Sequence, residues 1–289
     1  YYVERLGGEP ALFETDSTHS FSNELYEISN GNGAIDHIFI DQANQDMYFL
    51  TSNNVNNLGV NVMKTSLTNF NPQVIYIIPD RLDYVEDFKI NPTNGEIYWS
   101  ARGNPQQSGL WRYDPIANQA VNLTGGYVYG FCFDQSGNVY YSNQNGYITD
   151  LSGNVIYNGQ TGVDHMHYDD ATQTFFLIQS DEIITVQGSN VNGIFSSQGT
   201  GYQPFDFTFN NTTGKIIFCV GPTIASMDFD GSNLNYQQAL TYQVETIGVF
   251  SAGTINPNIT SPYSTYIIYN DVYYVERLGG EPALFETDS

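Results

Sequence analysis

One alternating pattern returns six times along this chain and restricts the fold more than any other feature. Ile35-Asp-His-Ile-Phe-Ile-Asp41, Val85-Glu-Asp-Phe-Lys-Ile-Asn91 and Val128-Tyr-Gly-Phe-Cys-Phe-Asp134 are the first three copies. Val163-Asp-His-Met-His-Tyr-Asp169, Pro204-Phe-Asp-Phe-Thr-Phe-Asn210 and Val244-Glu-Thr-Ile-Gly-Val-Phe250 complete the set. Apolar residues at alternate positions have the period of a β-strand. Recurrence at about 40 residues marks a supersecondary unit that buries its core only against its neighbours. Five copies end in Asp or Asn and run into a short turn, such as Asn91-Pro-Thr-Asn-Gly95 or Asp134-Gln-Ser-Gly137.

A second strand follows in each unit: MYFLTS from Met47, IYWSAR from Ile97, VYYSNQ from Val139, TFFLIQ from Thr174 and IIFCVG from Ile216. Their paired aromatics (Tyr48, Tyr98, Trp99, Tyr140, Tyr141, Phe175, Phe176) recur at one unit position and read as core between sheets rather than as a carbohydrate platform. Third and fourth strands follow, for example GLWRYDP from Gly109 and NQAVNLT from Asn118. With 23 Tyr and 18 Phe and few helix formers, the composition favours pleated surfaces. Four short antiparallel strands per unit, repeated in a ring, predict an all-β, six-bladed β-propeller. Its blades start near residues 35, 85, 128, 163, 204 and 244, in a single domain over 1–289.

The second strands resemble those of the YWTD propellers of lipoprotein-receptor-type ectodomains, with Ile97-Tyr-Trp-Ser100 nearest to the motif. The segment Ile224-Ala-Ser-Met-Asp-Phe-Asp-Gly-Ser232 is similar to that family's Asp-Gly-Ser turn. No blade carries an intact Tyr-Trp-Thr-Asp, and NHL-type and lactonase-type propellers are similar at this level. The YWTD resemblance implies a receptor-type module whose acidic mouth captures a basic protein ligand. A lactonase-type resemblance implies a channel calcium held by Glu, Asn and Asp. Carboxylates stand at the matching end here, without an Asn at the aligned positions.

A second repeat is exact. Tyr1–Ser17 (YYVERLGGEPALFETDS) recurs unchanged at Tyr273–Ser289, an offset of 272 residues. This identity reads either as tandem repetition of near-identical units or as an engineered duplication. In the closing blade, Val272–Arg277 matches the second strand, Ala283–Asp288 the third and Asn23–Ser29 the fourth. A competing register pairs TYIIYN with VYYVER through Asn270-Asp271. Either way N- and C-terminal strands close the ring in one blade. Only one of the two copies is expected in its inner strands; the spare hairpin, marginal alone, seeks an edge or a partner.

Inner strands line a propeller's channel. Their second positions bring Asp36, Glu86, Asp164 and Glu245 to one mouth as candidate metal ligands. Their third positions bring His37, Asp87, His165 and Asp206 as candidate ligand-binding residues, with His37 across from His165. Converging carboxylates repel unless a cation or water separates them. The alternatives are a solvated polar channel, a calcium site or, through the histidines, a softer metal. Asp228–Asn233 has carboxylate spacing without the later Glu of an EF-hand and reads as a turn; His167 reads as packed within a strand.

The formal net charge is −23, from 31 acidic and 8 basic side chains, which disfavours nucleic acid and anionic membranes as partners. No apolar run approaches the ~20 residues of a membrane span. Cys132 and Cys219 lie in apolar runs and read as buried thiols. Sequons at Asn122, Asn210, Asn211 and Asn258 suggest glycosylation and an extracellular or cell-surface location. With no catalytic motif present, the leading expectation is a non-enzymatic structural or adhesive propeller. It would be one unit of a tandem or strand-exchanged filament whose partners are copies of itself, head to tail. A receptor-type ligand-binding propeller is the alternative, and a calcium-dependent lactonase-like hydrolase the second.

Overall fold

Alternation in the sequence becomes strand pairing in the structure, a computed structural model. It describes residues 3–6, 9–15, 22–27, 35–41, 43–52, 59–79, 85–91, 93–103, 107–159, 162–210, 213–221, 223–239, 243–250 and 271–277. Strands β1 (Val3–Leu6), β2 (Glu9–Thr15) and β3 (Ser22–Glu27) come first. Blade one is β4 (Ile35–Asp41), β5 (Asp46–Ser52), β6 (Val60–Ser66) and β7 (Gln73–Ile78). Blade two is β8 (Val85–Ile90), β9 (Ile97–Ala101), β10 (Gly109–Asp114) and β11 (Gln119–Asn122). Blade three is β12 (Val128–Phe133), β13 (Val139–Asn143), β14 (Tyr147–Asp150) and β15 (Val155–Asn158). Blade four is β16 (His165–Asp169), β17 (Thr174–Gln179), β18 (Glu182–Gln187) and β19 (Asn190–Ser196). Blade five is β20 (Pro204–Asn210), β21 (Lys215–Val220), β22 (Thr223–Asp228) and β23 (Asn235–Ala239). The last strands are β24 (Gln243–Phe250) and β25 (Asp271–Arg277). Each blade runs in sequence order from inner to outer strand.

Five four-stranded blades form, not six. The sixth sheet has five strands drawn from both ends, in the order β1-β2-β25-β24 with β3 on β2. The exact repeat is the physical cause. β25 carries the C-terminal copy's second-strand peptide and β1 carries the N-terminal copy's, and both pair with β2. The expectation that only one copy occupies the inner strands of the closing blade is corrected. The C-terminal copy supplies the strand on β24, while the N-terminal copy supplies β2. TYIIYN and Ala283–Asp288 lie outside the described residues.

The chain divides into two compact units, Tyr1–Pro79 with Phe207–Ser289, and Asp80–Asp206. In the first, β24 packs beside β21 and β22 on one side and β4 on the other. In the second, β12 packs beside β8 and β16. The core lies between blades, because second strands are apolar on both faces: β9 is buried throughout and β17 in all but its last residue. Tyr98, Leu110, Val128, Phe131 and Val139 form one such layer between blades two and three. Ile148, Val163, Met166, Phe175, Leu177, Ile184 and Val186 with Cys132 form the next. The expected inter-blade aromatics Tyr48, Tyr98, Trp99, Phe175 and Phe176 are buried, and both cysteines are buried and free.

Candidate functional site

Four of the inner strands depart from an ideal ladder. In β4 the register slips between Asp36 and Ile38, in β8 between Val85 and Asp87, in β12 between Val128 and Phe131, and in β24 between Val244 and Thr246. Each slip is a β-bulge, an extra residue on the inner strand: at His37, Glu86 and Glu245, which the sequence singled out, and at Tyr129-Gly130. A bulge turns its side chain away from the ladder, as at many binding sites. His37 has a φ of 47°, the left-handed region, and its N–H donates to Asp36 Oδ1 at 2.9 Å. Asp164 N–H reaches the Ile178 carbonyl at 3.1 Å, the residue already opposite His165.

Several of these residues meet partners within the fold. Glu86 forms an ion pair with Arg102, whose neighbour Ala101 stands opposite Val85 across the ladder. Asp87 is 3% exposed and turns sideways into the blade interface. Its carboxylate accepts N–H from Phe88 at 2.9 Å and from Phe131 of blade three at 3.1 Å, and it pairs with Lys89. Lys89 Nζ sits 4.9 Å from the Phe131 ring centroid. Asp87 is thus a tie between β8 and β12 rather than a group turned towards a ligand.

His165 Nδ1 lies 3.6 Å from Asp206 Oδ1, two third-position residues brought together within one unit. Asp164 is exposed. Asp36 and His37 belong to the other unit, and the Glu245 side chain lies outside the described residues. Gly130 completes the third-position series for a steric reason. A Cβ there would stand 2.5 Å from the Asp164 carbonyl oxygen, so only glycine lets β12 and β16 approach this closely.

Of the candidate metal ligands in the unit Asp80–Asp206, Glu86 holds Arg102 and Asp164 is exposed. The candidate ligand-binding residues Asp87 and Asp206 lie against Lys89 and His165. Among the described residues, no three His, Cys, Asp or Glu side chains gather as a metal-ligand group. A calcium ion needs 6–8 oxygen ligands, and no such group is gathered among the described residues.

Other polar groups serve the scaffold. Ser100 Oγ donates to the Tyr129 carbonyl of β12 at 2.6 Å, and Ser142 Oγ donates to the Val163 carbonyl, just before β16, at 2.7 Å. Asp134 and Asp150 close matching turns, with Asn138 Nδ2 and Asn154 Nδ2 each donating at 2.7 Å. Asp228 closes a turn of the same backbone pattern after β22, the turn expected there. Hydrogen bonds from Asn154 hold the Asp150 carboxyl below the usual carboxylate range, and the Lys215 ammonium leads the same effect at Asp228. His167 lies half-buried within β16; desolvation, with a lesser push from Lys89, lowers it to about 3.

The sequon asparagines are structurally engaged. Asn122 Nδ2 donates to the Ser108 carbonyl at 3.1 Å while its Oδ1 accepts Thr124 N–H at 3.1 Å. Asn210 is 2% exposed and accepts Thr213 N–H at 3.1 Å. Asn211 and Asn258 lie outside the described residues.

All five Lys and Arg whose side chains are described form ion pairs: Lys64 with Asp46, Lys89 with Asp87, Arg102 with Glu86, Arg112 with Glu96 and Lys215 with Asp228. Lys215 stands directly opposite Asp228 across the ladder, and Lys64 lies diagonal to Asp46, two positions along. The Asp87 tie carried no sequence signal, because its partner is a backbone N–H forty-four residues away.

No protein-family model matches the chain, and no curated protein sequence does. Solved structures do. A nidogen/laminin complex is similar at a TM-score of 0.60 and 14% identity, over 80% of this chain and 94% of that one. A TolB-like protein from Agrobacterium tumefaciens has a TM-score of 0.59 and 15% identity, over 78% and 87% of the two chains. A gluconolactonase-like protein has a TM-score of 0.57 and 9% identity, over 88% and 92%. These likenesses show the fold: an all-β propeller of four-stranded antiparallel blades, with a YWTD-type propeller among its neighbours.

Proposed function

We propose that this chain is a non-enzymatic, extracellular or cell-surface propeller unit that associates head to tail with copies of itself. In this reading the closing sheet is the sixth blade, and pairing of N- and C-terminal strands closes the ring. The observation that carries it is the shared sheet: both copies of one peptide contribute strands to it, and two of those strands pair with β2. A chain that carries its closing strand twice can lend one to a neighbour. Such an exchange is heterologous and builds open rows unless the rotation closes a ring. Sedimentation velocity over a range of concentrations, with electron microscopy of the largest species, tests this. Rows of like units that disappear in the Val275→Pro variant are the expected result. A strictly monomeric chain at the highest concentration would overturn it.

A second reading, receptor-type capture of a basic polypeptide, is favoured by the charge distribution. The described cations are all paired, which leaves the net charge of −23 carried by unneutralised carboxylates. Binding of a Lys-rich peptide that weakens steeply with salt is expected of it. The third reading, a calcium-dependent hydrolase, lacks a ligand set among the described residues.

A further inference from the structure

The edge of β2 that faces β25 is contested in a single register. β1 pairs with β2 as an antiparallel hairpin, Val3 opposite Leu12 and Leu6 opposite Glu9. β25 meets the same strand at one position, Val272 opposite Thr15. Continued along β2 in that register, β25 would set Val275 opposite Leu12, Glu276 opposite Ala11 and Arg277 opposite Pro10. Val3, Glu4 and Arg5 hold those places now. They are the same residues of the other copy, 272 positions earlier. β25 meanwhile pairs with β24 along its whole length, from Asp271 opposite Phe250 to Arg277 opposite Gln243.

We infer that β1 is a displaceable plug on the edge of β2, and that the ligand of this edge is the strand Tyr273–Arg277 of a second copy of the chain. This rests on the assembly reading above and names its contact. Expelling β1 frees Pro10, Ala11 and Leu12 of β2 for the same three residues of an incoming β25, with no change of register. The exchange replaces a peptide by its own duplicate, so sequence complementarity is kept at every position. An isolated two-stranded hairpin is marginal in water, whereas the incoming strand arrives already paired to β24 of its own chain. The plug also keeps the backbone groups of β2 paired before the partner arrives, which protects an otherwise open edge.

The test uses two engineered cysteine pairs in the full chain, where the native thiols Cys132 and Cys219 are buried. Leu12→Cys with Val3→Cys reports the plug; Leu12→Cys with Val275→Cys reports the extended seam. Under mild oxidation the first pair closes within the monomer. The second is expected to give between-chain ladders on a denaturing gel, with a yield that rises up to about tenfold when Arg5→Pro cripples β1, as for a site freed from a mostly closed state. Closing the first pair is expected to abolish association. Two results overturn the plug: no disulfide from the second pair in any background, or a locked plug that associates as before. A second-pair disulfide formed only within single chains keeps the plug displaceable but refutes the second copy as its ligand, and with it the assembly reading.

Discussion

Replacing Asp87 by alanine separates a channel ligand from an inter-blade tie by the sign of its effect. Were Asp87 one of several carboxylates crowding an axis, its removal would relieve repulsion and stabilise the fold. The structure argues the reverse. The side chain is 3% exposed, accepts two backbone N–H groups at 2.9 and 3.1 Å, and neutralises Lys89. Hydrogen bonds to a charged acceptor contribute about 1.5–3 kcal/mol each. Removing one member of a buried ion pair costs about 3–5 kcal/mol. These terms overlap, so Asp87→Ala is expected to lower the unfolding free energy by about 3–5 kcal/mol. Asp87→Asn keeps one acceptor and falls about midway. Lys89 retains 18% side-chain exposure, so Lys89→Met in the alanine background recovers only part of the loss, about 1 kcal/mol. The Phe131 N–H still lacks its acceptor. Urea unfolding of the four proteins, with the slope compared to confirm one transition, provides the measurement. A loss below about 1 kcal/mol, or any gain, for Asp87→Ala would refute the tie.

Gly130→Ala is expected to cost about 1–3 kcal/mol by forcing β12 from β16, while Gly125→Ala, with open space around it, is near neutral; equal midpoints would remove the close-approach argument. Raising NaCl from low to moderate concentration is expected to raise the melting temperature, because screening relieves the self-repulsion of a chain at −23; a flat or falling trend would refute it. His167, folded near 3 against an ordinary 6.5, stays neutral in the fold while the unfolded chain takes up a proton. Its contribution is therefore complete above 6.5 and lost as pH falls towards 3, at about 1.4 kcal/mol per unit. His167→Phe is expected to flatten the stability profile between about pH 6.5 and 4, and an unchanged slope would refute the assignment.

Strand positions were legible because burial between blades imposes a strict period. Five of the six inner strands begin within one residue of the sequence estimate, and the fourth begins at His165 rather than Val163. There Asp164 N–H still reaches the Ile178 carbonyl, but as part of an irregular start. The site was less legible, since equal spacing places residues on a strand without fixing where a bulge sends them. Glu86 and Asp87 are neighbours with the same charge, yet one meets an arginine on its own blade and the other a backbone N–H on the next. The duplication was visible at once, but its outcome was not, because two identical peptides give no preference for which of them pairs with β24.

The outer rims bear on which contacts can join chains. The outermost strands expose apolar side chains, Val74, Ile75 and Ile77 on β7 and Val155 and Ile156 on β15. Exposed apolar edges invite a neighbour's strand. Each is interrupted. Ile75 on β7, Ile156 on β15 and Ile194 on β19 are extra residues against the third strand, and β3 carries the same irregularity at Leu25. β11 has no bulge but only four residues. A bulge twists an edge and puts its donors and acceptors out of step with a straight partner. Rim-to-rim addition is therefore blocked by backbone geometry, and charge repulsion between acidic surfaces opposes it further. The edge of β2 differs, because the strand that fits it in register is encoded twice in the same chain. Association through that edge needs no new complementarity, only a change of which copy supplies the strand.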